Sequence, residues 1–288
     1  LKGKASDVLL NGGKSESYAI VPDYYNGILP KVVAKVGGKV KAGSVLMIDK
    51  NRPEIKFVSP VSGEVTAVNR GEKRKVLSVV VKPEAQIEYE DFGKKNVASL
   101  KREEVKEAIL HAGMWPFIKQ RPYDIVASPA DEPRDIFVSA FYSAPLAPNF
   151  DFVVKGQEVD FQTGLDALAK LTDGKVYVGI RKGSSVSVKG VETVEVEGPH
   201  PAANVGVQIN HIKPINKGEV VWTVNPADVI VIGRLFNKGI ADFSRLVVIT
   251  GSETTERGYV KAIAGCTIAS LVDGKIMEGR KKRLFGSL

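Results

Sequence analysis

Cysteine is almost absent from this chain of 288 residues, because Cys266 is the only one. A single thiol forms no disulfide within the chain, and it cannot supply the cysteine cluster of an iron–sulfur or structural zinc site. The sequence therefore predicts a protein of a reducing compartment with no iron–sulfur cluster and no metal site. The apolar context of Cys266 favours a small buried side chain.

Long apolar runs and phosphate-binding glycine motifs are also missing. The longest apolar runs, such as Val229–Ile232, have the length of a strand and fall short of the ~18 residues of a membrane helix. No G-x-G-x-x-G or P-loop pattern brings backbone N–H groups to a phosphate. Between two predicted elements, residues 112–122 place the bulky Trp115, Pro116 and Phe117 where such a loop would lie. We therefore expect no flavin in this chain.

Positive charge is concentrated in one segment. The formal net charge is +8, and residues 31–82 hold twelve Lys and Arg against four acids, which accounts for all of the excess. Such a field attracts anionic lipid, an acidic protein or nucleic acid, although a solvated basic surface is an alternative. Protein surfaces that bind nucleic acid interleave aromatic side chains with basic ones, and Phe57 is the only aromatic residue in this segment. We expect docking on an anionic membrane or protein surface through Lys39, Lys41, Arg70 and Lys73.

Residues 26–82 contain short strand patterns separated by glycine turns, and the pattern occurs twice. The sequences V-G-G-K-V-K-A-G…L-M-I-D-K and S-P-V-S-G-E-V…N-R-G resemble the barrel-sandwich hybrid of biotinyl and lipoyl domains. Those carriers display a modifiable lysine in a tight hairpin, and Asp49-Lys50-Asn51 is similar. Eight residues separate Lys50 from Ser59, and Arg52-Pro53 widens the turn. A docking barrel is therefore favoured over a carrier, which stays open as the alternative.

The middle of the chain alternates helix and strand patterns. A helix is expected over residues 97–112, with Ser99 as its N-cap and Gly113 as its stop. A second helix is expected over Phe161–Leu171. Continuous apolar runs predict buried strands of a parallel α/β sheet, and an alternating run predicts a further strand; these are Asp135–Ala140, Lys175–Ile180, Val229–Gly233 and Val191–Val196.

The last segment returns to strands, followed by a short helix at Thr267–Val272. This order resembles a β-grasp fold of the soluble-ligand-binding type. The basic run Arg280–Arg283 does not complete that unit, so we expect an incomplete β-grasp domain, with a truncation or omitted residues near 279–281.

The segment E-G-P-H-P-A is the most unusual local sequence. Two prolines hold His200 in a rigid turn after a strand, where an imidazole can bond a carbonyl ligand. A structural turn with a half-exposed histidine is the alternative interpretation. Phe141 and Tyr142 follow a predicted parallel strand, and ligands of α/β sheets bind at such strand ends. No Ser/His/Asp spacing indicates a hydrolase, and no catalytic residue is predicted.

A resemblance covers nearly the whole chain. It rests on Lys56-Phe57 with Pro60–Gly63, Asn69–Gly71, Ala98–Leu100, Arg121-Pro122, Ile136–Val138, Gly164–Asp166, Gly174–Val178, Gly198–Ala202, Leu271–Asp273 and Ile276-Met277. These residues resemble the family of the A subunits of sodium-translocating NADH:quinone oxidoreductases. That family is related to the C subunit of Rnf complexes and to the flavin subunit of respiratory complex I.

The resemblance implies an α/β multidomain fold. We expect an N-terminal extension (1–25), a barrel-sandwich hybrid (26–92), a linker helix (93–119), a Rossmann-like α/β domain (120–243) and a partial β-grasp domain (244–288). The family normally continues beyond the last residue of this chain.

The resemblance also implies a function. It predicts a peripheral component on the cytoplasmic side of the bacterial inner membrane, bound to the other subunits and especially to the membrane-embedded B subunit. Quinone would bind transiently, FAD and FMN would lie in partner subunits, and the isolated chain would be inactive. The rigid proline turn and the strand end supply the candidate quinone contacts, which are Gly198, Pro199, His200 and Pro201, with Phe141 and Tyr142 as ring contacts.

Overall fold

A computed structural model describes residues 5–277 of the chain. Within that range the strands form four sheets, and six α-helices accompany them. The expectations for the basic run Arg280–Arg283 and for a truncation near residue 280 lie outside the described residues.

Residues 18–83, which include the basic segment, fold as two facing sheets. The four-stranded sheet has the order β2-β8-β7-β4 and the three-stranded sheet the order β3-β5-β6. Their bounds are β2 (Tyr18–Ile20), β3 (Pro30–Val32), β4 (Lys39–Val40), β5 (Val45–Asp49), β6 (Lys56–Val58), β7 (Gly63–Arg70) and β8 (Val76–Pro83). Valine and leucine side chains from both sheets, such as Leu46, Val65 and Val79, are fully buried between them. At the turn into β7, Gly63 has φ +155°, and a side-chain carbon there would overlap the carbonyl oxygen of Lys82. A glycine turn is therefore required at this position.

The two ends of the described chain meet in one small sheet. β1 (Leu9–Leu10) pairs in parallel with β16 (Gly258–Ile263), and β15 (Ser244–Ile249) pairs with β16 on its other side. The short helix α6 (Ile268–Val272) follows. The strands and the helix that the sequence predicts here are confirmed, but β1 is an addition. The first 25 residues thus serve two sheets, since β2 belongs to the barrel.

The central unit is a six-stranded sheet of order β10-β9-β14-β11-β12-β13. Its bounds are β9 (Ile118–Arg121), β10 (Ile125–Val126), β11 (Asp135–Ser139), β12 (Val176–Arg181), β13 (Glu192–Val196) and β14 (Val221–Val224). The last four strands in that order are parallel, and β9 runs antiparallel to β14. The apolar runs predict β11 and β12 and the alternating run predicts β13, whereas β14 is an additional strand. The helices are α1 (Arg102–His111), α2 (Phe150–Val154), α3 (Glu158–Lys170), α4 (Val205–Ile212) and α5 (Pro226–Lys238).

The strand prediction for Val229–Gly233 is wrong, because these residues form the middle of helix α5. The Asn225 side chain caps the helix by accepting from the N–H of Ala227, and Gly239 ends it with φ +72°. The helix lies against α3, where a side-chain carbon at Gly233 would overlap the carbonyl oxygen of Asp160. Burial of nearly every side chain produces a continuous apolar run, and such a run has no strand periodicity of its own.

The first long helix begins later than predicted. Val97–Ser99 form a separate 3₁₀ turn, and α1 starts at Arg102 with Lys101 as its N-cap. The Glu104 carboxylate accepts a hydrogen bond of 2.8 Å from the Lys101 N–H, so the acid three residues after the cap fixes the start. Ser99 is therefore not the N-cap.

The chain changes direction at β11. From β11 it passes through α2 and α3 to β12 and then β13 on one side, and from there through α4 to β14 on the other side. β11 therefore has β12 on one side and β14, the last strand of this sheet along the chain, on the other. Such a reversal of strand order opens a crevice at the carboxyl ends of the two strands.

Candidate functional site

A cleft of about 1100 Å³ lies at this crevice. Its floor includes Ser139 at the end of β11 and Thr223 at the end of β14. One wall comes from the barrel and the turn before it, and another from the C-terminal sheet. The start of α4, over residues 204–207, also faces the cleft. All folded units of the described chain therefore contribute to one site.

Aromatic rings form much of the lining. Tyr25 meets Phe57 edge-to-face with ring centroids 4.9 Å apart, and Phe117 meets Phe243 at 5.9 Å. Tyr142 adds a further ring, and its hydroxyl lies 3.4 Å from Oδ1 of Asn225. A flat apolar ligand with a few hydrogen-bonding atoms fits such a lining.

Five charged side chains line the cleft, and four of them are paired. Arg245 Nη2 lies 3.0 Å from Asp228 Oδ1, and Arg121 Nη2 lies 3.3 Å from Asp124 Oδ1. Lys119 is the fifth. Its Nζ lies 5.1 Å from the centroid of the Tyr25 ring, and among residues 5–277 no carboxylate oxygen lies within 4 Å of it. The described lining therefore holds three cations and two carboxylates, and Asp124 and Asp228 attract Lys119 only from beyond ion-pair distance.

Burial shifts the titration of the groups around Lys119. It raises the pKa of Tyr25 and of Tyr142 to about 12, with repulsion from Asp228 as the next cause. Burial also raises the pKa of the Asp228 carboxyl, against the attraction of Arg245. The pKa of Lys119 is lowered, mainly by desolvation. Both tyrosines are neutral at physiological pH, as they would be at the ordinary pKa of about 10, and the Tyr142 hydroxyl donates to Asn225.

The predicted ligand residues divide into two groups. Phe141 and Tyr142 line the cleft, as expected for residues at a strand end. The segment Gly198–Pro201 is exposed and does not line it. The two groups are nevertheless joined, because Ser143 Oγ lies 3.1 Å from Nδ1 of His200 and accepts a hydrogen bond from the Ala203 N–H. His200 therefore supports the loop that carries Tyr142.

Sequence reasoning missed the charged members of the cleft. Lys119 lies on β9, Asp228 in the first turn of α5 and Arg245 on β15. More than a hundred residues separate the first from the other two, so no local spacing reveals them. The start of α5 carried a usable signal, because Asn-Pro-Ala-Asp is typical of a helix N-terminus and places an acid in the first turn.

The four predicted docking residues lie at two ends of the barrel. Lys39 and Lys41 are at β4, near Glu84 at 3.9 Å and Glu88 at 3.6 Å. Arg70 and Lys73 are at the tip of the β7–β8 hairpin. Lys39 pairs with Glu64, six residues before Arg70 along β7, which corresponds to about 20 Å along the strand. The basic charge therefore forms two exposed groups instead of one patch.

Lys50 lies in a turn that is anchored to the rest of the protein. The buried Asp49 carboxylate contacts Arg52 Nε at 2.8 Å, and the Arg52 guanidinium donates to the carbonyl oxygens of Val126 and Gly27. In a biotinyl or lipoyl carrier, the modified lysine lies on a hairpin that is free of such contacts. This geometry argues against the carrier alternative.

The described residues hold neither a cluster of metal ligands nor a membrane-crossing helix. Between residues 5 and 277 no three His, Cys, Asp or Glu side chains converge as metal ligands. No helix in the same range has the length and apolarity that a membrane crossing requires.

Comparison with models of protein families identifies the family to which the chain belongs. The model of the NqrA N-terminal barrel-sandwich hybrid domain matches residues 1–84, and the model of the NqrA second alpha/beta domain matches residues 100–241. A barrel-sandwich hybrid followed by an α/β domain is the arrangement described above. The chain belongs to the NqrA family, the A subunits of the Na(+)-translocating NADH-quinone reductases, which confirms the resemblance seen in the sequence.

Individual relatives point to the same family. The A subunit of the Na(+)-translocating NADH-quinone reductase of Neisseria meningitidis is 33% identical over 293 aligned residues. Proteins of the same name are 34% identical in Shewanella amazonensis and 35% identical in Vibrio atlanticus. These alignments cover 100% of this chain and 65–66% of each relative. The chain thus spans just under two thirds of the length of these relatives.

Proposed function

We propose that this protein acts as the A subunit of a sodium-translocating NADH:quinone reductase and that it binds the quinone headgroup in the cleft between β11 and β14. The observation that carries the proposal is the lining of that cleft. Aromatic rings supply flat walls, and the Tyr142 hydroxyl and the Lys119 ammonium supply donors for carbonyl oxygens. The names of the relatives support the choice of quinone as the ligand.

In this proposal the protein does not itself oxidise NADH. The chain holds no glycine-rich phosphate loop, so FAD and FMN belong to partner subunits. The other subunits, in particular the membrane-embedded B subunit, would hold it at the cytoplasmic side of the inner membrane as a peripheral component. The exposed basic groups at the two ends of the barrel suit that contact.

The proposal also extends to the fold. The four parallel strands with connecting helices support a Rossmann-like unit over residues 120–243. The pair β15–β16 with α6 supports part of a β-grasp unit over residues 244–288. The barrel over 26–92 and the helical linker over 93–119 complete the domains, with residues 1–25 shared between the barrel and the last sheet.

Tryptophan fluorescence provides a direct test. Both tryptophans lie close to the cleft. Pro116, which follows Trp115, lines the cleft, and the Trp222 ring meets the Trp115 ring edge-to-face with centroids 5.4 Å apart. Titration with a water-soluble ubiquinone should quench this emission with saturation. Tyr142→Ala should weaken that binding about tenfold, whereas Tyr123→Ala, at a side chain 81% exposed, should leave it unchanged.

A second experiment addresses the complex. Affinity isolation of the native full-length protein, followed by flavin and quinone analysis, should recover quinone together with partner subunits that carry flavin. Stoichiometric FMN in the purified chain alone, or unsaturable quenching that Tyr142→Ala does not change, would contradict the proposal.

A further inference from the structure

The charge balance of the cleft has a consequence for its ligand. Three cations and two carboxylates line it, and geometry assigns each carboxylate to an arginine. Lys119 is left over within the described lining. Its ammonium lies over the Tyr25 ring, whose face supplies only a weak attraction for a cation.

The position of Lys119 makes this charge available to a ligand. The side chain projects from β9 into the same cleft as Tyr142 and Asp228, and desolvation lowers its pKa. An anion beside it would reverse that shift, because an opposite charge favours the ionised form of an amine. A neutral ligand would leave the ammonium partly desolvated and unpaired.

The start of α4 adds to the same field. Residues 204–207 face the cleft, and α4 is eight residues long. The N-terminal end of a helix carries a partial positive charge. Each of the two acids in the described lining is in an ion pair with an arginine, so the cations of the lining outnumber its carboxylates.

We propose that the cleft prefers a quinone whose ring carries an ionised oxygen over a neutral quinone. In this proposal Lys119 holds the charged oxygen, and the aromatic walls contact the ring. This rests on the proposed function, because it assumes that a quinone ring enters the cleft. It adds the charge state of the preferred ligand and the residue that determines it. Tyr142 then contributes a neutral donor to the same ring system.

Two quinones that differ by one methyl group test the proposal. At neutral pH 2-hydroxy-1,4-naphthoquinone is an anion, and 2-methoxy-1,4-naphthoquinone is its neutral methyl ether. Binding of each to the purified chain is measured by tryptophan quenching and by calorimetry. A hydrogen bond to a charged group predicts about tenfold to a hundredfold tighter binding of the anion.

Variants identify the residue responsible. Lys119→Gln should reduce the anion-to-ether preference to about threefold or less, because the anion loses a charged partner whereas the ether loses only a hydrogen-bond donor. Lys119→Arg should retain the preference. Lys35→Gln, at an exposed lysine of the barrel outside the cleft, removes the same net charge and should change nothing. Melting temperatures of all variants establish that the fold is retained.

The outcomes separate the two proposals. Equal affinity for both quinones, or a preference that survives in Lys119→Gln, overturns the charge selectivity and leaves quinone binding intact. Failure of both quinones to bind overturns quinone binding in the cleft and the selectivity with it. Tighter binding of the anion that is lost only in Lys119→Gln supports both.

Discussion

The Nδ1 atom of His200 lies 3.1 Å from the Oγ of Ser143, which joins the loop after β13 to the loop after β11. The Ser143 hydroxyl also accepts from the Ala203 N–H at 3.0 Å, and Ser139 donates to the Ala203 carbonyl at 2.8 Å. Three hydrogen bonds thus hold Ser143 and the end of β11 against the turn from His200 to Ala203, in which Ala203 lines the cleft and His200 does not. His200 is a positioning residue in this arrangement.

The first prediction follows from that contact. His200→Ala should lower quinone affinity by less than about tenfold, because only one neutral hydrogen bond is lost and it acts through Ser143. Ser143→Ala should have at least as large an effect, because it also removes the acceptor of the Ala203 N–H. The double variant should be no worse than Ser143→Ala alone, since His200 acts only through Ser143. Additive losses in quinone titrations would show that His200 acts on the ligand independently.

The second prediction concerns stability at high pH. Burial raises the pKa of Tyr25 and Tyr142 to about 12, above the ordinary value of about 10. Between these values the unfolded chain loses protons that the folded chain keeps. The free energy of unfolding should therefore fall as pH rises through about 10 towards about 12.

Substitution of Tyr142 tests whether the cleft tyrosines cause this decrease in the free energy of unfolding. Tyr142→Phe removes one of the buried phenols, so urea unfolding at several pH values should show a shallower decline. Tyr123→Phe, at an exposed ring, is the matched control and should follow the original curve. Ultraviolet absorbance of the phenolate reports the same titration. Identical curves for both variants would mean that Tyr142 ionises as an exposed tyrosine does.

The third prediction tests the Asp228–Arg245 pair. Asp228→Ala leaves the Arg245 guanidinium without its carboxylate in a site where Arg245 is 28% exposed. Loss of one partner of a buried pair should cost about 2–4 kcal/mol. Asp23→Ala is the control, because its pair with Lys75 is more than half exposed and should contribute less than about 1 kcal/mol. Thermal unfolding compares the two, and similar losses would show that water screens the cleft pair as well.

The fourth prediction concerns the basic groups of the barrel. Reversal of Arg70 and Lys73 to glutamate should weaken assembly with the other subunits, and raised salt should have the same effect, since exposed charges are screened over ~8 Å. Reversal of Lys39 and Lys41 should act separately and less strongly, because Glu84 and Glu88 already oppose them. Co-purification at two salt concentrations measures both. Assembly that is indifferent to salt and to both reversals would leave these charges merely solvated.

Local patterns predicted much of the fold. The glycine turns of the barrel and the apolar strands β11 and β12 lie where the sequence places them, because each depends on neighbouring residues. Helix α5 was predicted as a strand at Val229–Gly233, because β-branched residues favour strands and burial on all sides removed the helical period. Its flanking Asn225 and Gly239 carried the helical signal.

The cleft was predictable only in part. Phe141 and Tyr142 follow a strand, and strand ends carry ligand sites, so local reasoning found them. Lys119, Asp228 and Arg245 meet only because β9, α5 and β15 converge in the fold, and pairing between distant segments leaves no local periodicity. His200 was selected because prolines flank it. Flanking prolines predict a rigid turn, but they do not predict which atoms the turn contacts.

The pairing of β1 with β16 determines when the small sheet at the two ends of the described chain can be completed. Leu9 aligns with Tyr259, about 250 residues later in the sequence. During synthesis the barrel strand β2 can find β8 early, while the preceding strand β1 has no partner until the last described sheet leaves the ribosome. Contacts so distant in sequence form slowly. Leu9 and Leu10 therefore stay unpaired until β16 has been synthesised, and the cleft wall that β16 supports forms after the barrel.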